Sequence, residues 1–254
     1  GPAKVKAPVS ATKSFINKNT NTPIPLKGGE FVFALLNHEG DPVEKTTNDA
    51  DGNIKFKDLE FEKAGTYQYT IYEHKAGQIE NGITYSNKTV EVTIEVTDDG
   101  HGALKATVSY DNDERHFENT YKAANAKANL EVTKKLTGRE LKADEFEFTL
   151  TDQDGNVKET VKNDKDGNVK FSELEFDKAG TYTYKIAEKA GTATGIQYDT
   201  KTITATVTVA DNGKGFLEAT VAYDGEKVFE NTYTPAGATS CLLYTSPSPR
   251  DLSP

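Results

Sequence analysis

Apolar and polar residues alternate with a period of two along most of the chain, and the same series of alternating segments occurs twice. Val9, Ala11, Lys13 and Phe15 fall on one face of a first strand, as do Leu130, Val132, Lys134 and Leu136. EFVFALL and EFEFTL follow, with Phe31 and Phe33 matching Phe146 and Phe148. Next come turns rich in Asp, Asn and Gly (HEGDP and TDQDGN, then NDADGN and NDKDGN), with the short strands IKFKDLEF and VKFSELEF beside the second pair. In GTYQYTIYE one face carries Tyr67, Tyr69, Ile71 and Glu73; in GTYTYKIAE it carries Tyr182, Tyr184, Ile186 and Glu188. The longest strands place Val90, Val92, Ile94 and Val96 inward in one copy, and Ile203, Ala205, Val207 and Val209 in the other. After ALKATVSY and FLEATVAY each copy closes on FENTY, with Phe117, Asn119 and Tyr121, or Phe229, Asn231 and Tyr233, on one face.

About eight short strands per copy, with turn signals every 8–12 residues, predict an all-β protein of two tandem β-sandwich domains. The boundaries read as a lead-in 1–8, a first repeat 9–121, a linker 122–128, a second repeat 129–233 and a tail 234–254. KAANAKA in the linker is the only Ala-rich stretch and has room for a turn of helix; no segment shows a 3.6-residue apolar period. The loop NKNTNTPIPLKG (17–28) is longer than its counterpart TGRELKAD, an insertion that a loop absorbs cheaply. The tail has no counterpart after Tyr121. Its run CLLYTSPSPRD resembles the translation of a transposase-type sequencing adapter, so 234–254 is expected to be non-native and is set aside with Cys241.

Composition agrees with β-structure: Thr, Tyr, Val and Phe dominate the patterned segments, and Trp and Met are absent. The formal charge of −10, spread along the chain, argues against nucleic acid or an anionic membrane surface as partner. No apolar run approaches the ~20 residues needed to span a bilayer. The chain starts without Met or a signal peptide and reads as an excised segment. The only cysteine, Cys241, lies in the tail, so the repeats have no disulfide available and any staple must use other chemistry.

One oddity survives this reading. Lys13, Glu73 and Asn119 all occupy positions where the pattern calls for an apolar side chain, and Lys134, Glu188 and Asn231 repeat it. Parity favours Lys134 over Lys135 as the inward lysine, a choice that a β-bulge would reverse; in the first repeat the insertion leaves Lys18 as an alternative to Lys13. Burying unpaired charges costs several kcal/mol or more. One solution is a buried ion pair with Asn completing the hydrogen bonds. The other is covalent. Desolvation lowers a lysine pKa, a neutral amine is a nucleophile, and the Asn carboxamide carbon is an electrophile. A buried glutamic acid would hydrogen-bond the amide oxygen, polarise the carbonyl and relay protons as ammonia leaves. The product is a Lys–Asn isopeptide bond.

The pattern TK, GTYxYxIxE and FENTY resembles the streptococcal pilin isopeptide-linker domain, the family of T-antigen-type major pilins and of tandem stalk repeats in Gram-positive surface adhesins. The resemblance covers nearly all of both repeats. It implies an immunoglobulin-like sandwich of the collagen-adhesin B-repeat type. It also implies a Lys13–Asn119 bond promoted by Glu73 and a Lys134–Asn231 bond promoted by Glu188.

Other chemistry is weak. The DxDG turns lack the EF-hand spacing, since Gly52 and Gly167 come one place early and strands flank them, so they read as hairpin turns. His38, His74, His101 and His116 all lie in the first repeat without metal-ligand spacing, and His74 should face outward. No nucleophile elbow, P-loop or dinucleotide fingerprint appears. The chain is therefore expected to need no cofactor and no metal, and to be no enzyme beyond a single self-reaction. Three roles remain: a stalk segment of a cell-wall-anchored adhesin whose partners are adjacent repeats, a pilus subunit joined by sortase, or a matrix- or glycan-binding module using the 17–28 insertion. Each places the chain outside the cell, with no insertion in the membrane and an unidentified host ligand.

Overall fold

The computed structural model describes residues 3–237; Cys241 and the adapter-like run lie outside them. Contacts divide the chain into two units, the first reaching to Ala124 and also taking in Asp211–Leu217, the second made of Asn125–Ala210 and the chain from Glu218 onward. Among the described residues strands dominate, and the one helical element is a 3-10 turn at Asp111–Asp113. No helix among them is long and apolar enough to cross a membrane.

Each unit is a pair of facing sheets. In the first, one sheet runs Leu104–Tyr110, Thr89–Asp98, Gly65–Glu73, Val32–Asn37, Pro42–Thr47, every neighbour antiparallel. The other is centred on Ser10–Asn17 and His116–Tyr121, which pair in parallel although they open and close the repeat. The second unit repeats the plan. Its five-stranded sheet runs Val157–Lys162, Glu147–Asp152, Gly180–Glu188, Thr202–Asp211, Leu217–Tyr223, and its facing sheet joins Glu131–Thr137 in parallel to Val228–Tyr233. The alternation explains the packing. Val90, Val92, Ile94 and Val96 are buried while Glu91 and Glu95 between them are exposed. Phe33, Leu35, Ile71, Ile94 and Phe117 are fully enclosed between the sheets of the first unit, each contributing about 1.5–3 kcal/mol of hydrophobic free energy.

The structure departs from the expected boundaries in two matching places. Val5–Ala7, inside the supposed lead-in, pairs with Leu59–Phe61, and Ala126–Ala128, inside the supposed linker, pairs with Leu174–Phe176. KAANAKA thus ends in a strand rather than a helical turn, because Ala126 and Ala128 bury their methyls on the sandwich. The 17–28 insertion is tied down as well. Thr22–Pro23 pairs with Ile16 and Asn17 at the sheet edge, and Leu26 packs against the core.

Candidate functional site

The parallel pairing of first and last strands sets the site. Lys13 lies opposite Phe117 and Asn119 opposite Phe15, so lysine and asparagine sit diagonally on the same inner face. Lys134 and Asn231 take the same places, opposite Phe229 and Leu136. The glutamate arrives from the facing sheet, at the end of its strand, where Glu73 pairs with Phe33 and Glu188 with Phe148. Lys13 is 4% exposed and Glu73 and Asn119 are fully buried; Lys134, Glu188 and Asn231 are 2%, 9% and 0% exposed. Lys135 and Lys18, the alternative lysines, are exposed, and so is His74.

In the first domain Glu73 bridges its partners. Lys13 Nζ donates to Oε1 at 2.7 Å, and Asn119 Nδ2 makes a short hydrogen bond to Oε2. In the second, both partners converge on one oxygen: Lys134 Nζ lies 2.6 Å from Glu188 Oε1, and Asn231 Nδ2 donates to the same atom at 3.1 Å. The Lys134 approach is poorly directed for a hydrogen bond, and Glu188 Oε2 has no partner among the described residues. The contact is thus a close approach of amine and carboxyl group rather than a directed hydrogen bond.

Rings enclose each amine. Lys13 Nζ is 4.7 Å from the centre of Phe31 and 5.6 Å from Phe33; Lys134 Nζ is 4.6 Å from Phe146 and 6.0 Å from Phe148. The removal of water outweighs the pull of the carboxylate. Burial pushes the Lys13 ammonium down to about 8 against the opposing pull of Glu73, and it lowers Lys134 in the same way. Burial also raises Glu73, despite the hydrogen bonds from Lys13 and Asn119 that favour its ionised form. Lys13, Lys134 and Glu73 are thus each driven toward the neutral state.

The amide orientation differs from the sequence-based expectation of a glutamate on the carbonyl oxygen. Asn119 Oδ1 accepts the Ser86 backbone N–H at 2.8 Å, and Asn231 Oδ1 accepts that of Asp199 at 2.7 Å. A backbone N–H can only donate, so the oxygen must face it and the amide nitrogen must face the glutamate.

Two supporting devices were missed in the sequence. Asn48 and Asn163, both buried, accept the backbone N–H of Phe31 and Phe146 at 2.9 Å and so fix the residues whose rings cover the amines. Their signal was present: NDxDGN is shared by the two repeats. The DxDG turns do more than reverse the chain. Asp49 and Asp164 spend Oδ1 on backbone N–H groups of their own turns. Gly52 and Gly167 then accept the N–H of Lys13 and Lys134, each at 2.7 Å. At both glycines φ is positive, 81° and 88°, and a Cβ would fall 2.5 and 2.2 Å from the lysine carbonyl oxygen. Only glycine lets the turn press this closely on the lysine backbone. On the outer face of the first domain, His116 bridges Thr12 Oγ1 at 2.7 Å and Ser14 Oγ at 2.8 Å, away from the triad.

The family model described as FctA, the Spy0128-like isopeptide containing domain, matches residues 9–122 and again 130–234. The chain belongs to this family of pilin-type structural domains, in two copies. No curated protein matches it. Among solved structures it is similar to the major pilin of Streptococcus pyogenes, at 15% identity, covering 90% of this chain and 99% of that one with a TM-score of 0.38. The T-13 major pilin of the same species gives 20% identity, 91% and 98% coverage and a TM-score of 0.35. A C-terminal fragment of the pilus adhesin SpaC from Lactobacillus rhamnosus GG gives 17%, 89% and 96%, and 0.31. The family match carries the assignment; likenesses at this level add nothing to it.

Proposed function

We propose that each domain closes a self-formed isopeptide bond, Lys13 to Asn119 and Lys134 to Asn231, and that the pair is a load-bearing stalk segment of a Gram-positive cell-surface adhesin. The observation that carries this reading is the contact of amine, carboxyl and carboxamide in a site closed to water. The step balances within the triad. The neutral Lys13 amine attacks Asn119 Cγ; one amine proton passes to Glu73, and Glu73 returns a proton to Nδ2 through the oxygen that already faces it. The C–N bond breaks, ammonia leaves, the new amide is neutral and the carboxyl group is regenerated. Folding supplies proximity by making first and last strands neighbours. The intact mass of the purified protein is expected to fall short of the sequence mass by one ammonia per domain. A full mass would reduce the triads to hydrogen-bonded ion pairs and remove the covalent reading.

The pH dependence follows from the proton count. The reactive pair holds one proton, on Glu73, beside a neutral Lys13. At low pH both groups are protonated and the nucleophile is lost; at high pH both are deprotonated and the acid is lost. Bond formation in the first domain is therefore expected to follow a bell. Its acid limb lies above the ordinary carboxylate value of 4.5, because burial raises Glu73, and its alkaline limb lies near 8. Cross-linking followed by mass from the moment of synthesis, across buffered pH, checks this. A rate still climbing well beyond the alkaline limb would remove the acid role of Glu73.

A further inference from the structure

The backbone N–H groups on the two asparagine oxygens belong to matching turns. Ser86 and Asp199 each stand directly after a tyrosine and two residues before a lysine, just ahead of the longest strand. Each side chain folds back on its own turn. Ser86 Oγ accepts the Lys88 N–H at 3.2 Å, and Asp199 Oδ1 accepts the Lys201 N–H at 2.9 Å. The preceding tyrosines are pinned alike: Tyr85 meets Phe31, and Tyr198 meets Phe146, each edge-on with ring centres 5.9 Å apart. Those two phenylalanines also cover the lysine amines. Asp199 adds a further tie, since its Oδ2 accepts the Glu230 N–H at 2.9 Å, next to Asn231 itself.

We infer that the Ser86 and Asp199 backbone N–H groups are the oxyanion donors of the cross-linking reaction, aimed by the side-chain turns of those same residues. The inference rests on the covalent reading above and deepens it. Attack of the amine on Cγ moves the carbonyl electron pair onto Oδ1, and the charge develops where the N–H already points, at 2.8 Å in one domain and 2.7 Å in the other. Glu73 is engaged at Nδ2, so charge stabilisation and proton transfer fall to different groups. The N–H is the catalytic group; the Ser86 hydroxyl and the Asp199 carboxylate are positioning groups.

The test uses the full chain with Glu188→Ala, so that only the first domain reacts, made by cell-free translation and followed by intact mass from synthesis onward. Replacing Ser86 by its α-hydroxy acid counterpart exchanges the N–H for an ester oxygen. The rate of ammonia loss is expected to fall by about 10²–10³. The limbs of the pH profile should stay in place, whereas a loosened amine pocket would move the alkaline limb. Ser86→Ala is expected to slow the reaction and Ser86→Thr, which keeps the hydroxyl acceptor, to restore it; this pair decides the matter if the ester chain fails to fold. An ester or Ser86→Ala chain reacting at the parent rate, or a slowed chain whose alkaline limb has moved, overturns the donor assignment and leaves the isopeptide reading intact. A parent chain that loses no ammonia overturns both.

Discussion

Glu188→Ala is expected to hold the second domain at full mass while the first still loses its ammonia. Without the carboxyl group nothing takes the proton from Lys134 and nothing returns one to Asn231 Nδ2, the two contacts that converge on Glu188 Oε1. General acid–base assistance contributes about 10²–10⁴ in rate, enough to separate a bond made during folding from one not made on the timescale of purification. Glu188→Gln sharpens the test, because it preserves volume and a carbonyl acceptor for Asn231 but cannot relay a proton. Cross-linking by the Gln variant at the parental rate would sink the proton role and leave only packing. Stability should follow the mass. A bond closing a loop of about 100 residues removes roughly 5 kcal/mol of denatured-state entropy by the chain-entropy relation for disulfides, equivalent to roughly 20–40 °C in the melting of a domain this size. The expected calorimetric trace of Glu188→Ala has two separated transitions, the lower belonging to the unlinked domain.

The parts of this machinery that a period of two can express were legible in the sequence. Alternation through Val9, Ala11 and Lys13 fixes which lysine points inward, and the same parity selects Lys134 over Lys135. No bulge intervenes on the Lys-bearing strands, whose parallel registers run unbroken from His116 to Tyr121 and from Val228 to Thr232. What stayed hidden depends on backbone atoms and on turns. The N–H of Ser86 has no letter in the sequence that marks it as a donor, and so the amide of Asn119 was expected to face Glu73 the other way round. Asn48 looks like an ordinary turn residue because its partner, the Phe31 N–H, lies 17 positions away. Gly52 reads as a hairpin glycine, and its pressure on Lys13 needs three dimensions to be seen. Val5–Ala7 and Ala126–Ala128 escaped because they are only Val-Lys-Ala and Ala-Lys-Ala, too short for a periodic signal.

Pulled from its two ends, the cross-linked chain is expected to give no unfolding step from either domain. The linking strands are parallel neighbours, so a pull on the N-terminal side of Ser10–Asn17 and on the C-terminal side of His116–Tyr121 shears them past one another and loads their hydrogen bonds together. A Lys13–Asn119 bond lies directly in that path. Force would enter at Lys13, cross the amide and leave at Asn119, and the chain between them, with Glu73 and the whole antiparallel sheet, would carry no tension. Asn119→Ala removes the bond while keeping the Lys13–Glu73 ion pair at the core. Its first domain should then unravel in a single step of about 35 nm, the extended length of roughly 105 residues at 3.3–3.6 Å each. Single-molecule stretching between handles at the two termini reads this directly. A step of that length in the parent chain would show that the load bypasses no part of the domain, and the stalk reading would lose its mechanical basis even if some ammonia had been lost. Its absence in the parent and presence in Asn119→Ala would tie the force-bearing role to one amide bond. That outcome would also explain why a fold with no cysteine among its described residues buries a lysine, a glutamate and an asparagine where three apolar side chains would otherwise serve.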